Sequence, residues 1–223
     1  MTILQGAALL FIAALLSPSR NLFAQSAVPK KDTQGWTDVQ LIIPMNKQVD
    51  FFFQGTVRVG DNLSMPVDER WGAGFNYKLN KYVTLNEYYF HREGQTPHGK
   101  TEREERLSLG ATLNIPAGKF MIVNRNWLER RWREPQVDAW RYRGRLQLEH
   151  PFKIGETKFT WFISDEVFYD WSVRDWVRNR ASIGANHAFN KHFTGELYYL
   201  RQNDGRSRPG DLNVIGSRLR FRL

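Results

Sequence analysis

The last six residues alternate without a break: Arg218, Leu219, Arg220, Phe221, Arg222, Leu223. A β-strand points successive side chains to opposite faces, so this segment has one guanidinium wall and one apolar wall. The same period of two runs back to Trp36. Eleven runs carry it: Trp36–Ile43, Val49–Val59, Glu69–Leu79, Tyr82–Arg92, Arg103–Ile115, Lys119–Arg133, Ala139–Glu149, Lys158–Tyr169, Val177–Phe189, His192–Arg201 and Leu212–Leu223. Most are as long as the roughly 9–11 residues a tilted strand needs to cross a bilayer, whereas soluble strands average about five or six. The expected fold is all-β: an up-and-down antiparallel transmembrane β-barrel of about ten to twelve strands over 36–223. Single-chain bacterial barrels have even strand counts, and an odd count forces first and last strands to pair in parallel. Either ten or twelve wall strands are therefore expected.

Connections sharpen this expectation. Short ones carry turn residues, as at Pro44-Met45-Asn46-Lys47, Asn80-Lys81, Pro116-Ala117-Gly118 and Asn190-Lys191, with a medium one from Pro151 to Thr157. Longer polar stretches alternate with them: Gly60–Asp68, Glu93–Glu102, Glu134–Asp138, Asp170–Trp176 and Gln202–Asp211. Short turns on one side and long loops on the other is the pattern of outer-membrane barrels. Aromatics fall near both strand ends. Trp36, Trp71, Trp132 and Trp140 lie beside the long connections, and Phe189, Phe193 and Phe221 beside the short ones. These are expected to be lipid-interface aromatics, because an amphipathic ring prefers the headgroup level.

Residues 1–26 read as a cleaved signal peptide. Gly6 to Leu16 is almost wholly apolar, too short to span a bilayer, and a small-residue cleavage region follows at Ala24 or Ser26. No Lys or Arg precedes the run, which a start codon placed too far downstream would explain. Residues 27–35 are polar and read as a flexible lead-in. After the leader no apolar run approaches the roughly 18 residues of a spanning helix.

The chain carries 32 Lys and Arg against 23 Asp and Glu, a net charge of +9, and has no cysteine. That excludes disulfides and thiolate metal sites. No basic block stands apart as an arm, so nucleic acid is not an expected partner. His91, His98, His150, His187 and His192 are scattered without ligand spacing, so no metal site is expected. There is no glycine-rich phosphate loop, and no cofactor is expected. Ser182 and His187 sit at odd spacing on one strand, hence on opposite faces, and cannot form a nucleophile–base pair within it.

The richest constellation is on the inward faces. By alternation, Arg125, Arg131, Arg141, Arg143 and Arg145 point inward, with Arg178, Arg180, Arg218, Arg220 and Arg222. Arg58, Arg70 and Arg106 join them. The inward acids are fewer: Glu129, Glu166 and Glu196, with Asp38, Asp50 and Glu149. Two readings stay open. Arginine pairs carboxylate and phosphate in bidentate fashion, so such a wall suits a passage or site for small anions. Equally, cross-strand Arg–Glu ladders can fill a narrow barrel. Two strands resist face assignment: Tyr82–Arg92 has aromatics on both faces, and either Asp165 or Glu166 must leave the lumen.

The segments Leu128-Glu129-Arg130-Arg131-Trp132, Trp140-Arg141-Tyr142-Arg143 and Asp165-Glu166-Val167-Phe168, then Asn179-Arg180 with Gly184, are together distinctive. On these the chain resembles a bacterial outer-membrane β-barrel family known only as a domain of unknown function, family 2490, over about Trp36 to Leu223. The resemblance implies location in the outer membrane of a Gram-negative bacterium. The partners it implies are the lipid bilayer and, during insertion, the barrel-assembly machinery. It implies no catalytic activity. Gly216, Leu219 and Phe221 suit an assembly signal, although Leu223 stands where phenylalanine is usual and Val214 where a polar residue is. The expectation is a non-enzymatic barrel, structural or passively anion-favouring. The alternatives are a lipid-modifying outer-membrane enzyme and a secreted soluble barrel that binds an apolar ligand and carries its arginines outside.

Overall fold

A computed structural model describes residues 30–95 and 101–223. The expected signal peptide, residues 27–29 of the expected lead-in and His98 lie outside the described residues. Eleven strands form the wall: β1 Lys31–Pro44, β2 Val49–Gly60, β3 Met65–Lys78, β4 Val83–Gln95, β5 Thr101–Ala117, β6 Phe120–Glu134, β7 Ala139–Ile154, β8 Thr157–Asp170, β9 Asp175–Ala188, β10 Phe193–Asp204 and β11 Asp211–Arg222. Each pairs antiparallel with its chain neighbours, and β1 pairs β11 in parallel to close the barrel.

Eleven lies within the expected range of ten to twelve, but the expectation of an even count is corrected. All eleven runs are wall strands, and closure is made by a parallel register from Lys31↔Asp211 to Ile42↔Arg222. The expected lead-in is shortened as well, because Lys31 to Gly35 already belongs to β1.

One rim carries the connections 45–48, 79–82, 118–119, 155–156 and 189–192, here the lower rim; the upper rim carries the others. Three lower turns use one device. Asn46, Asn80 and Asn190 each accept backbone N–H groups from the residues two and three places on, at 2.8–3.0 Å. An asparagine side chain thus mimics a turn of backbone. The two-residue turns place Gly118 and Gly155 at φ 64° and 57°, where a Cβ is unfavourable. The upper connections are shorter than the sequence suggests. Gly60–Asp68 is largely strand around a turn at 61–64, and Asp170–Trp176 around one at 171–174. Polar composition there marks strand overhang rather than loop.

The faces are cleanly sorted. Outward stand large apolar side chains such as Trp71, Leu109, Leu146, Ile183, Leu197 and Ile215, with Leu197 69% and Ile215 63% exposed. Inward stand buried Asp, Glu, Arg, Gln and Ser side chains. In β4, Tyr88 and Phe90 turn inward, while Glu87 and Tyr89 are exposed outside. In β8, Glu166 is buried in the lumen and Asp165 is outside, accepting from Asn179 Nδ2 at 2.7 Å. Gly72 and Gly74 make room for the inward rings. A Cβ on Gly74 would fall 2.1 Å from the Glu87 carbonyl oxygen and 2.8 Å from Phe52 Cζ. Gly74→Val is therefore expected to destabilise the barrel by about 1–3 kcal/mol, read as a lower urea midpoint for loss of the folded band on an unheated gel.

The expected interfacial aromatics divide. Trp132 and Trp140 are exposed near the upper rim, and Trp71 is exposed midway along β3. Phe189, Phe193 and Phe221 stack in sequence at the lower rim, each adjacent pair 5.0 Å apart between ring centroids. Trp36 is the correction: it is only 5% exposed and points into the lumen. It shares parity with Asp38, Gln34 and Asp32, so a lumen wall there requires Trp36 inside as well.

Candidate functional site: the arginine-walled lumen

Inward side chains from all eleven strands border a cavity of about 1100 Å3. Its charged wall is organised by carboxylates, most of which hold two or more basic side chains. Near the upper rim Asp68 accepts from Arg70 Nε at 2.5 Å and also from Arg92. Glu104 accepts a bidentate pair from Arg131, 2.8 Å at both oxygens, and 2.7 Å from Arg106 Nε. The planar guanidinium fork makes such double contacts possible. Asp170 lies 3.4 Å from Arg131, and Asp204 accepts from Arg178 at 2.6 Å.

Deeper in the lumen, Glu129 is 1% exposed. It stands opposite Arg141 in register and accepts its Nε at 2.6 Å, with Arg106 at 3.6 Å and Arg143 at 3.9 Å. Glu166 stands opposite both Arg145 and Arg180. It accepts from Arg143 Nε at 2.7 Å, with Arg125 at 3.4 Å and Arg180 at 3.7 Å. Glu196 joins Arg218 at 2.9 Å to Arg220 at 3.0 Å, and Asp38 lies 3.5 Å from Arg218. Toward the lower rim Asp50 holds Arg222 at 2.8 Å and Lys78 at 2.7 Å.

The expected lumen set, Arg125 through Arg222 with Glu129, Glu166 and Glu196, is thus brought together on one wall. Glu149 behaves differently. It accepts from Gln147 at 2.5 Å, and among the described residues no basic side chain lies within 4 Å of it. Four counter-acids escape the sequence reading: Asp68, Glu104, Asp170 and Asp204. Three of them fall in stretches whose composition reads as loop. Parity nonetheless carries a signal, since Asp68 lies two residues from Arg70 and Glu104 two from Arg106.

Two of the arginines expected to face inward remain without an acid. Among the described residues, Arg58 and Arg145 have no carboxylate within 4 Å. Arg58 lies over the Trp36 ring at 3.7 Å, and Arg180 approaches the same ring at 4.9 Å. A cation over an aromatic face gains about 0.5–2 kcal/mol. That explains a tryptophan inside a charged lumen: its face takes the place of a carboxylate beside Arg58.

Residues 33–213 match a family model described as a protein of unknown function, DUF2490. The chain belongs to this family. No curated protein matches the sequence. Among solved structures the DUF2490 barrel is similar to an anion-selective porin from Comamonas acidovorans, at 14% identity and TM-score 0.39, covering 79% of this chain and 54% of that one. It is also similar to LpxR from Salmonella typhimurium, at 7% identity and TM-score 0.49, covering 78% of this chain and 83% of that one. The β domain of the Bordetella autotransporter BrkA aligns at 10% identity and TM-score 0.43, over 73% and 80%. This chain spans about half the length of the porin.

Ser182 and His187 stand on opposite faces, as their spacing requires. Ser182 Oγ shares a 2.6 Å hydrogen bond with Ser164 Oγ inside, and His187 Nδ1 lies 2.7 Å from the Lys158 carbonyl outside.

The hub carboxylates make a sharp stability prediction. Glu166→Gln leaves Arg125 and Arg180 without a carboxylate and Arg143 with Glu129 alone, at 3.9 Å. It is expected to cost about 3–5 kcal/mol, the range for breaking a buried pair. Asp175→Asn, which removes an exposed pair with Arg206 at 3.2 Å, is expected to cost under about 1 kcal/mol. Urea unfolding of both variants in detergent checks the contrast.

Proposed function

We propose that this DUF2490 member is an outer-membrane β-barrel whose arginine-lined lumen admits small anions and favours them over cations. The observation that carries the reading is the inverted polarity of the wall, with an apolar belt outside and ionic side chains around a cavity inside. Such a surface is stable in a bilayer and costly in water. The arrangement argues against a soluble barrel with its arginines outside. Arginine without matching acid, at Arg58 and Arg145, gives the lumen its anion preference.

The test is reconstitution. Fractionation is expected to recover the protein with outer membranes, with the unheated sample running as a folded band on gels. In planar bilayers under a salt gradient the reversal potential is expected to have the sign of anion selectivity. Recovery in the soluble periplasm overturns the membrane reading; a sealed bilayer overturns the passage and leaves a structural barrel. A lipid whose mass changes on expression would instead favour a lipid-modifying enzyme.

A further inference from the structure

Beside the main cavity lies a smaller recess of about 80 Å3, walled by β1, β2 and β7 to β11. Asp38, Arg58, Arg143, Arg180 and Arg218 border both spaces, so the recess opens sideways off the lumen. Its apolar lining comes from Trp36, Phe162, Tyr198 and Leu200. Tyr198 and Phe162 lie close against the wall because Gly184 and Gly216 face them: a Cβ on Gly216 would meet the Tyr198 ring at 2.0 Å, and one on Gly184 would meet Phe162 Cζ at 2.8 Å.

We infer that this recess is a binding site for a small tetrahedral dianion of the phosphate or sulfate class, held by Arg145, Arg58 and Arg180 with the Ser164–Ser182 hydroxyl pair. Charge is the first argument. Five guanidiniums line the recess: Arg58, Arg143, Arg145, Arg180 and Arg218. Against them stand three carboxylates, Asp38, Glu166 and Glu196, which leaves an excess of two positive charges. Like charges in a confined space of reduced dielectric need a counter-anion. Donor supply is the second. Arg145 has Gln147 as its polar partner and no carboxylate within 4 Å among the described residues, and the buried Arg58 Nε has no acceptor. The two serines use one hydroxyl hydrogen in their mutual 2.6 Å bond and keep the other free to donate. Planar guanidiniums and a hydroxyl suit several oxygens on one centre better than a single halide. Size is the third: the recess has room for a few waters or one compact oxyanion.

This inference rests on reading the lumen as accessible to anions, yet it is tested without a membrane. The full chain, folded in detergent, is titrated calorimetrically with sodium sulfate and with sodium phosphate, against sodium chloride at equal ionic strength. A saturable single-site heat is expected with sulfate and phosphate and none with chloride. Arg145→Gln is expected to weaken sulfate binding by about tenfold or more. The Ser164→Ala/Ser182→Ala pair, which leaves every charge in place, is expected to weaken it as well. Arg145→Lys keeps the charge but loses the fork and falls between. Heat-modifiable gel mobility confirms that each variant is folded. An equal response to chloride, or undiminished binding in both the arginine and the serine variants, overturns the site. A sealed bilayer with intact sulfate binding would remove the passage alone; selective conductance without such binding would remove the recess alone.

Discussion

Arg58→Glu combined with Arg145→Glu is expected to reverse the sign of the reversal potential under a salt gradient, from anion-favouring to cation-favouring. These two guanidiniums have no carboxylate within 4 Å among the described residues, so their charge is not cancelled locally. The double change shifts the lumen charge by four units. At about 10 Å in water each unit is worth about 0.4 kcal/mol toward a permeating ion. Four units then amount to about 1.7 kcal/mol, a roughly tenfold change in relative permeability. A reversal of equal size at the lower turns, Lys47→Glu with Lys81→Glu, is expected to do far less, because exposed charges are screened beyond about 8–10 Å. Equal effects from the two pairs would show that selectivity is set at the rim and not by the arginine wall.

Leu197→Arg is expected to destabilise the barrel by about 2–4 kcal/mol when the protein is folded in bilayers, the cost of a cation on the lipid face at midplane. Leu197 lies on β10, four residues above its lower end at Phe193 and below the polar overhang Arg201–Asp204, and is 69% exposed. Val137→Arg, in the connection 135–138 at the upper rim, is expected to cost under about 1 kcal/mol, although Val137 is also exposed. Reversible urea unfolding in vesicles reads both. In a water-soluble barrel neither change would matter, since an arginine on a solvated face is harmless. Two silent variants would therefore sink the membrane reading directly.

Much of the wall is legible from residue order because strand geometry is local. Alternation alone puts Arg141, Arg143 and Arg145 on one face and Trp140, Tyr142 and Leu146 on the other, and the structure keeps that division. The rule misleads only where composition overrides it. The clustering of tryptophans near rims points Trp36 to the interface, although its parity with Asp38 requires it inside. Polar surroundings make Asp68 and Asp170 look like loop residues, yet they lie at the ends of strands that overhang and serve as counter-ions. At Asp165 and Glu166 composition gives no answer, because the two are adjacent acids. The packed wall assigns Glu166 to the lumen and leaves Asp165 outside.

The sequence by itself determined an all-β wall, the two faces of most strands and the surplus of inward arginine, because all three follow from a two-residue period and from side-chain chemistry. Only the tertiary structure decided that eleven strands close through the parallel β1–β11 pair. It also decided that Glu166 gathers arginines from β6, β7 and β9, and that Arg58 rests on Trp36 rather than on a carboxylate. These are contacts set by the register and curvature of the closed wall. They join residues far apart in the chain, some across several strands, and no local pattern encodes them.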